Sequence, residues 1–116
     1  MKNIIITGTS RGIGYELALQ FANAGHNVLA ISRKTPQELI ENSNITCLSV
    51  DLSDENEMQQ VESFLSHSWK TVDIIIHNVR LKRIIKHKTR NKGLHQLYIS
   101  LFSNNGHIIS GVNLIL

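Results

Sequence analysis

The sequence predicts an α/β domain whose core is a doubly wound parallel sheet, truncated after about four or five strands. Short β-branched runs alternate with segments whose apolar residues recur every three or four positions, a pattern typical of parallel sheets with right-handed crossovers. A glycine-rich turn joins the first strand to the first helix. The chain has 116 residues, enough for one small domain, so we expect an architecture that normally needs about 250 residues to be incomplete here.

Four apolar or β-branched runs are predicted to be strands, at 3–7, 27–32, 45–50 and 72–76. The last of them is almost continuously apolar, as a strand covered on both faces should be. With the intervening helices, the order of elements up to position 78 is βαβαβαβ.

Three helices are predicted between these strands. The first begins near Ile13 and is ended by Gly25. A short second helix consists of Pro36 and the following QELIEN, because the first turn of a helix tolerates proline. Ser53 or Asp54 caps the third helix. The predicted buried face is Ile13, Leu17, Phe21 and Ala24 in the first helix, and Met58, Val61, Phe64 and Leu65 in the third.

Charge divides the chain after Asn78. Residues 1–78 contain all nine acidic residues and five of the twelve basic ones, whereas residues 79–116 contain seven bases and no acid. Ordinary chains are about 25% charged, with both signs mixed. We therefore separate a folded segment, 1–78, from a basic, acid-free segment, 79–116, to which no element is assigned.

Composition excludes several classes of protein. Cys47 is the single cysteine, so the chain has no internal disulfide and a reducing compartment is expected. The N-terminus lacks the apolar region of a signal peptide, and no apolar run approaches the roughly 20 residues of a membrane span. We expect a cytoplasmic protein without a membrane partner. The histidines at 77, 87, 95 and 107 are too far apart to predict a metal site.

The turn after the first strand has the features of a phosphate-binding loop. Glycines between a strand and a helix permit positive φ angles and close backbone approach, and the helix N-terminus offers unpaired N–H groups to a pyrophosphate. The spacing is Gly-x3-Gly-x-Gly, which differs from the usual Gly-x-Gly-x-x-Gly. The candidate binding residues are Gly8, Thr9, Ser10, Arg11, Gly12, Ile13 and Gly14.

This loop, TGTSRGIG, resembles the cofactor loop of short-chain dehydrogenases/reductases, whose fold is Rossmann-like. Val50-Asp51-Leu52 after the third strand is similar to the family's adenine-contacting Asp with its apolar neighbour. Ile76-His77-Asn78 resembles the first half of its Asn-Asn-Ala-Gly segment, and Val79-Arg80 replaces the second half. The resemblance covers residues 3–78 and implies an NAD(P)-binding segment in which Asp51, Leu52 and Asn78 contact the coenzyme.

The segment after the second strand indicates which coenzyme is preferred. An NAD site places an acid about 20 residues past the loop to bind the ribose 2′-hydroxyl, whereas a 2′-phosphate needs cations there. Here Ser32, Arg33 and Lys34 follow the strand, with no acid until Glu38. Arg11 in the loop adds a guanidinium, which can pair with two phosphate oxygens. We therefore predict NADP(H) over NAD(H), bound in part by Ser32 and Arg33.

The resemblance implies hydride transfer between a nicotinamide and a carbonyl or alcohol, with a Tyr-x-x-x-Lys pair that assists proton transfer. That pair is absent, because Leu19 follows Tyr15 at four residues and Phe102 follows Tyr98. Ser110 lies in a segment with a slight resemblance to the strand that carries the family's catalytic Ser, but this segment is too close to Asn78 in the sequence. We therefore interpret Ser110 as a structural residue. No catalytic residue is assigned, and we predict a coenzyme-binding portion of an oxidoreductase that is catalytically incomplete.

Residues 79–116 admit three interpretations: a frameshifted or otherwise corrupted remainder, a diverged crossover, or a basic arm. In the crossover, 94–102 is a helix and 107–116 a fifth strand beside the fourth. In the third case residues 80–92, which contain seven bases, form a basic arm that neutralises phosphates, and the chain is a non-enzymatic interaction module that binds nucleic acid or an acidic partner. Nucleic acid is the less expected of the two, because the arm lacks interleaved aromatics. If nothing covers the fourth strand, its apolar edge predicts self-association.

Overall fold

A computed structural model describes residues 1–52, 54–69, 71–82, 93–102 and 108–115. The elements are β1 (Asn3–Thr7), α1 (Gly12–Asn23), β2 (Asn27–Ser32), α2 (Gln37–Ile40), β3 (Ile45–Ser49), α3 (Glu55–Ser68), β4 (Ile74–Lys82), β5 (Gly93–Phe102) and β6 (Ile108–Ile115). The predicted βαβαβαβ order is confirmed through β4. The alternative cap Ser53 and positions 83–92 of the basic arm lie outside the described residues.

The described strands form one sheet in the order β3-β2-β1-β4-β5-β6. The first four run parallel, and β1 pairs with β2 on one side and β4 on the other. The chain therefore builds outward from β1 in one direction and then crosses back to begin the other side at β4. This is the doubly wound, Rossmann-like arrangement that the sequence predicts.

The strands after β4 contradict the crossover, one of the three interpretations of residues 79–116. β5 pairs with β4 in the antiparallel sense along its whole length, and β6 pairs with β5. The helix expected over 94–102 is therefore wrong, as is the pairing of 107–116 with the fourth strand. Antiparallel neighbours can follow one another closely along the chain, whereas a parallel neighbour needs a longer crossover. Lys82 and Gly93, at the end of β4 and the start of β5, are register partners.

β5 also occupies the strand edge from which self-association was expected. Ile74, Ile75 and Ile76 each have a register partner on β1 and another on β5. Self-association through this edge would require β5 to leave it.

Apolar side chains pack on both faces of the sheet. Along β1, Ile4 and Ile6 pack with Ala18 and Ala22 of α1, whereas the alternate residue Ile5 packs on the opposite face. That second face is covered by α3, whose Val61 is buried. Helices on both faces explain why β1 and the first three residues of β4, Ile74–Ile76, are apolar or nearly so.

The most buried face of α1 consists of small residues rather than the predicted large ones. Gly14, Ala18 and Ala22 are buried, while Ile13, Leu17 and Phe21 are only partly buried beside the same core and Ala24 is exposed. Small side chains at four-residue spacing let the helix axis approach the sheet closely. Larger residues then pack along the sides of the contact. No helix in the described ranges is long and apolar enough to cross a membrane.

Candidate functional site

The carboxyl ends of the parallel strands open into one cleft of about 1000 Å³. Parallel sheets bind ligands at this edge, where the strand order reverses. The lining residues are Gly8, Ser10, Arg11, Ile31, Ser32, Arg33, Lys34, Thr35, Pro36, Val50, Asp51, Leu52 and Asn78.

Eight of the twelve predicted contact residues line this cleft, namely Gly8, Ser10, Arg11, Ser32, Arg33, Asp51, Leu52 and Asn78. Thr9, Gly12, Ile13 and Gly14 do not. Ile31 and Val50 also line the cleft. The sequence predicts both as strand residues and not as coenzyme contacts. Their position directly before Ser32 and Asp51 was the available signal, because a strand end belongs to both the core and the cleft.

The three glycines of the loop have different structural roles. Gly8 has φ +67°, and a Cβ on it would lie 2.9 Å from the main-chain oxygen of Asn78. A Cβ on Gly14 would lie 2.3 Å from the carbonyl oxygen of Gly8. Gly12 has φ +66° and no atom within 4 Å of the same position, so only its backbone conformation favours glycine.

Hydrogen bonds hold the first glycine between two neighbouring strands. Gly8 N donates to the carbonyl oxygen of Ile31 at 2.9 Å, and Asn78 Nδ2 donates to the carbonyl oxygen of Gly8 at 3.3 Å. The main-chain N–H of Asn78 donates to Thr7 Oγ1 at 3.0 Å. The loop is thus anchored to β2 on one side and β4 on the other.

His77, on β4, also contacts the Thr7 hydroxyl. Its Nδ1 lies 2.8 Å from Thr7 Oγ1, and burial lowers the pKa of the imidazole from its ordinary value. The neutral ring is therefore favoured, because a charged form loses solvation on burial.

Two serine hydroxyls hold the backbone of Arg33 and Lys34, which follow β2 at the edge of the cleft. Ser32 Oγ donates to the carbonyl oxygen of Lys34 at 2.6 Å, and Ser49 Oγ donates to that of Arg33 at 2.7 Å. Ser32 is buried, and its hydroxyl hydrogen is donated to Lys34, which leaves the oxygen as an acceptor. These bonds set the backbone from which Arg33 and Lys34 project.

Asp51 lies at the entrance to α3. Its main-chain N–H donates to Glu57 Oε2 at 3.2 Å, and its carbonyl oxygen accepts from Asp54 N at 3.0 Å. The Asp54 carboxylate in turn accepts from Asn56 N at 2.9 Å, which confirms Asp54 as a cap of the third helix. Asp51 is thereby held at the end of β3 beside the cleft.

The N-terminus of α1 differs from that of α3. Its cap residue, Arg11, makes no side-chain cap hydrogen bond, and its first turn contains no acid. The positive end of this helix is therefore left for an anion from outside the helix. Thr9 beneath it is fully buried, and its Oγ1 has no hydrogen-bond partner within the described part of the chain.

Three exposed cations, Arg11, Arg33 and Lys34, line the cleft, and Asp51 is the one acid among its described lining residues. This charge balance suits an anionic ligand. In the described ranges, no group of three or more His, Cys, Asp or Glu residues is placed to hold a metal ion.

Comparison with known proteins gives a consistent result. The family model described as short chain dehydrogenase matches residues 2–103. A 3-oxoacyl-(acyl-carrier-protein) reductase of Chlamydia trachomatis is 35% identical over 92 residues, which cover 71% of this chain and 36% of that protein. An NADPH-dependent pterin aldehyde reductase of Arabidopsis thaliana is 28% identical over 83 residues, covering 66% of this chain and 34% of that protein.

Among solved structures, a short chain dehydrogenase from Bacillus anthracis is 27% identical with a TM-score of 0.59, covering 72% of this chain and 37% of that one. Among eight curated relatives that it matches, the chain spans between 24% and 52% of their length.

Proposed function

Because the chain belongs to the short-chain dehydrogenase family, we propose that its cleft binds NADP(H) in preference to NAD(H), as the coenzyme portion of an oxidoreductase. The bound coenzyme would exchange a hydride with a carbonyl or alcohol. The observation that carries the preference is that Arg11, Arg33 and Lys34 line one cleft at the end of β2.

The glycine loop fits the pyrophosphate of such a coenzyme. The close approach of Gly8 to Asn78 brings the loop backbone against β4, and that of Gly14 to Gly8 brings the first turn of α1 against the end of β1. The uncapped first turn of α1 then offers its N–H groups to phosphate oxygens. Ser10 and Arg11 would contribute side-chain donors from the same loop.

The adenosine end would lie farther along the sheet. Ile31, Val50 and Leu52 provide apolar surface at the ends of β2 and β3, and Asp51 provides a carboxylate beside it. Arg33 and Lys34 stand where the ribose 2′-position would come, and a guanidinium pairs there with a phosphate rather than a hydroxyl. The NADPH dependence in the name of the Arabidopsis relative supports this choice.

The chain would lack the side chains that transfer a proton to the substrate. Its 116 residues contain no Tyr-x-x-x-Lys pair, so no side chain is assigned as the proton donor to a substrate oxygen. We therefore expect coenzyme binding without turnover. The purified chain, mixed with NADPH and a panel of aldehydes and ketones, should leave the absorbance of NADPH unchanged, and carbonyl reduction would refute this part of the proposal.

Charge reversal at Arg33 tests the coenzyme preference. The Arg33→Asp variant should weaken NADPH binding by about 10- to 100-fold, the range expected for loss of a charged hydrogen bond, and leave NADH binding within about threefold. Fluorescence titration with each coenzyme measures both effects. Equal weakening of NADPH and NADH would reject the assignment.

Lys2→Asp is the matched control. Lys2 is an exposed base that precedes β1, at the opposite end of the parallel strands from the cleft, and it does not line it. The same change of charge at this position should leave the ratio of the two affinities as it is in the unaltered protein.

A further inference from the structure

We propose that His77 is a positioning residue for the glycine loop, which it holds through the Thr7 hydroxyl, so that coenzyme affinity requires a neutral imidazole at this position. The inference rests on the proposed function, because this loop is the one assigned to the coenzyme phosphates. His77 also marks a departure from the family pattern, since it stands where the resembled segment has its first Asn.

The hydrogen bonds of Thr7 determine which form of the ring fits. A hydroxyl has one hydrogen to donate, and a main-chain N–H can only donate. Thr7 Oγ1 accepts from Asn78 N at 3.0 Å. In the described ranges its one other hydrogen-bond partner is His77 Nδ1 at 2.8 Å, so we assign the hydroxyl hydrogen to Nδ1. Nδ1 is then the acceptor, and the neutral ring carries its hydrogen on Nε2.

Protonation of His77 would disturb this arrangement. Nδ1 would become a second donor directed at Thr7 Oγ1, and the hydroxyl hydrogen would lose its acceptor. Thr7 is 6% exposed, and within the described ranges its side chain makes no hydrogen bond other than those to His77 and Asn78. Water therefore replaces the lost acceptor poorly, and the bond to Asn78 is the one that must rearrange.

A shift of Asn78 would reach the loop directly. Its main-chain oxygen lies where a Cβ of Gly8 would be only 2.9 Å away, and its Nδ2 donates to the Gly8 carbonyl. Gly8 and Asn78 both line the cleft. The backbone that would receive the coenzyme phosphates is thus in contact with the residue that Thr7 and His77 position.

β1 and β5 flank His77 in the sheet. Thr7 lies beside it on β1, and Tyr98 is its register partner on β5. Burial is the cause that lowers the pKa of His77. Burial and the hydrogen bond that Nδ1 accepts from Thr7 both oppose protonation of the ring.

Calorimetric titration with NADP⁺, which is stable in acid, tests the proposal from about pH 8 down to about pH 5, a series that extends well below the ordinary histidine pKa because burial lowers that of His77. His77→Asn is the conservative variant, because its Oδ1 is bonded to Cγ as Nδ1 is and accepts a hydrogen bond without titrating. His77→Leu removes the acceptor. NAD⁺ is titrated in parallel, since a phosphate has its own pKa near 6.

We expect His77→Asn to bind NADP⁺ within about threefold of the unaltered protein at the higher pH. The unaltered protein should lose about tenfold more affinity on acidification than this variant does. His77→Leu should bind about tenfold more weakly already at the higher pH, the loss that corresponds to one hydrogen bond. An unchanged pH profile in His77→Asn, or full affinity in His77→Leu, would overturn the proposal.

Nuclear magnetic resonance separates this inference from the proposed function. In the protein without coenzyme, the ¹⁵N shift of His77 Nδ1 should be that of an unprotonated nitrogen, and acidification should move the amide signals of Gly8 and Asn78. His77→Asn should abolish that movement. If NADP⁺ fails to bind but these signals behave as expected, the proposed function fails and the positioning role stands, whereas a protonated Nδ1 in the neutral ring rejects the role itself.

Discussion

A Cβ atom on Gly14 would lie 2.3 Å from the carbonyl oxygen of Gly8, so the first turn of α1 meets the end of β1 without room for a side chain. The Cβ would be fixed to the backbone of α1 and the oxygen belongs to the backbone of Gly8, so neither atom can rotate away as the end of a side chain could. The contact fixes how closely the helix N-terminus approaches the sheet.

Gly14→Ala should therefore destabilise the protein by about 3 kcal/mol, the upper part of the range for overpacking. Helix propensity alone predicts the opposite sign, a gain of about 1 kcal/mol. Gly12→Ala is the control, since it has positive φ but open space and should cost about 1 to 2 kcal/mol. Urea unfolding measures both variants, and a smaller loss for Gly14→Ala than for Gly12→Ala would contradict the contact.

Two replacements of Asn78 should differ in their effect on stability, because one of them introduces a negative charge. Asn78→Ala removes the donor to the Gly8 carbonyl at 3.3 Å and also the Oδ1, which is buried without a partner in the described ranges, so a loss of about 1 kcal/mol is expected. Asn78→Asp places a carboxylate oxygen against the Gly8 carbonyl and should cost more. Thermal unfolding at neutral pH compares them, and an Asp variant as stable as the Ala variant would be inconsistent with this hydrogen bond.

Thr9→Val should stabilise the protein by about 1 kcal/mol. The side chain is fully buried and its Oγ1 is unpartnered within the described residues, and valine has nearly the same shape without the cost of an unsatisfied hydroxyl. Calorimetry of unfolding checks the sign. Thr9→Ser keeps the hydroxyl and leaves a cavity, so it should be less stable than the unaltered protein.

Acid should destabilise the fold through His77. Burial lowers the pKa of this group in the folded protein, while the unfolded chain has the ordinary value of about 6.5. Below about pH 6.5 the unfolded state therefore binds more protons, and stability falls until the pH passes the lowered folded value. Urea unfolding from about pH 8 to about pH 5 should show a smaller loss in His77→Asn than in the unaltered protein, and identical curves would exclude His77 as the cause.

Amide hydrogen exchange should find β4 covered from within the same chain. Ile74, Ile75 and Ile76 are paired with both β1 and β5, so their protection should not change when the protein is diluted about a hundredfold. β1, enclosed between β2 and β4, is the internal reference. Protection in β4 that disappears on dilution would indicate that another copy of the chain covers this strand in place of β5.

The elements before Asn78 could be predicted because their signals are local. Strands β1, β2 and β3 and the start of α1 follow from β-branched runs and from glycines at a strand-to-helix turn. The buried face of α1 could not be derived from periodicity alone. Gly14, Ala18 and Ala22 are at the helical spacing too, and close packing against the sheet, rather than hydrophobicity, selects them over Leu17 and Phe21.

The sequence by itself determined the order of the first seven elements, the family resemblance and the residues that line most of the cleft, because each depends on neighbours within a few positions. The tertiary structure decided that β5 and β6 extend the sheet in the antiparallel sense, because strand pairing depends on which distant edge is free. It also decided the contacts from Thr7 to His77 and from Gly8 to Asn78. These join residues about 70 positions apart in the chain, and only the parallel register of β1 and β4 brings them within hydrogen-bonding distance.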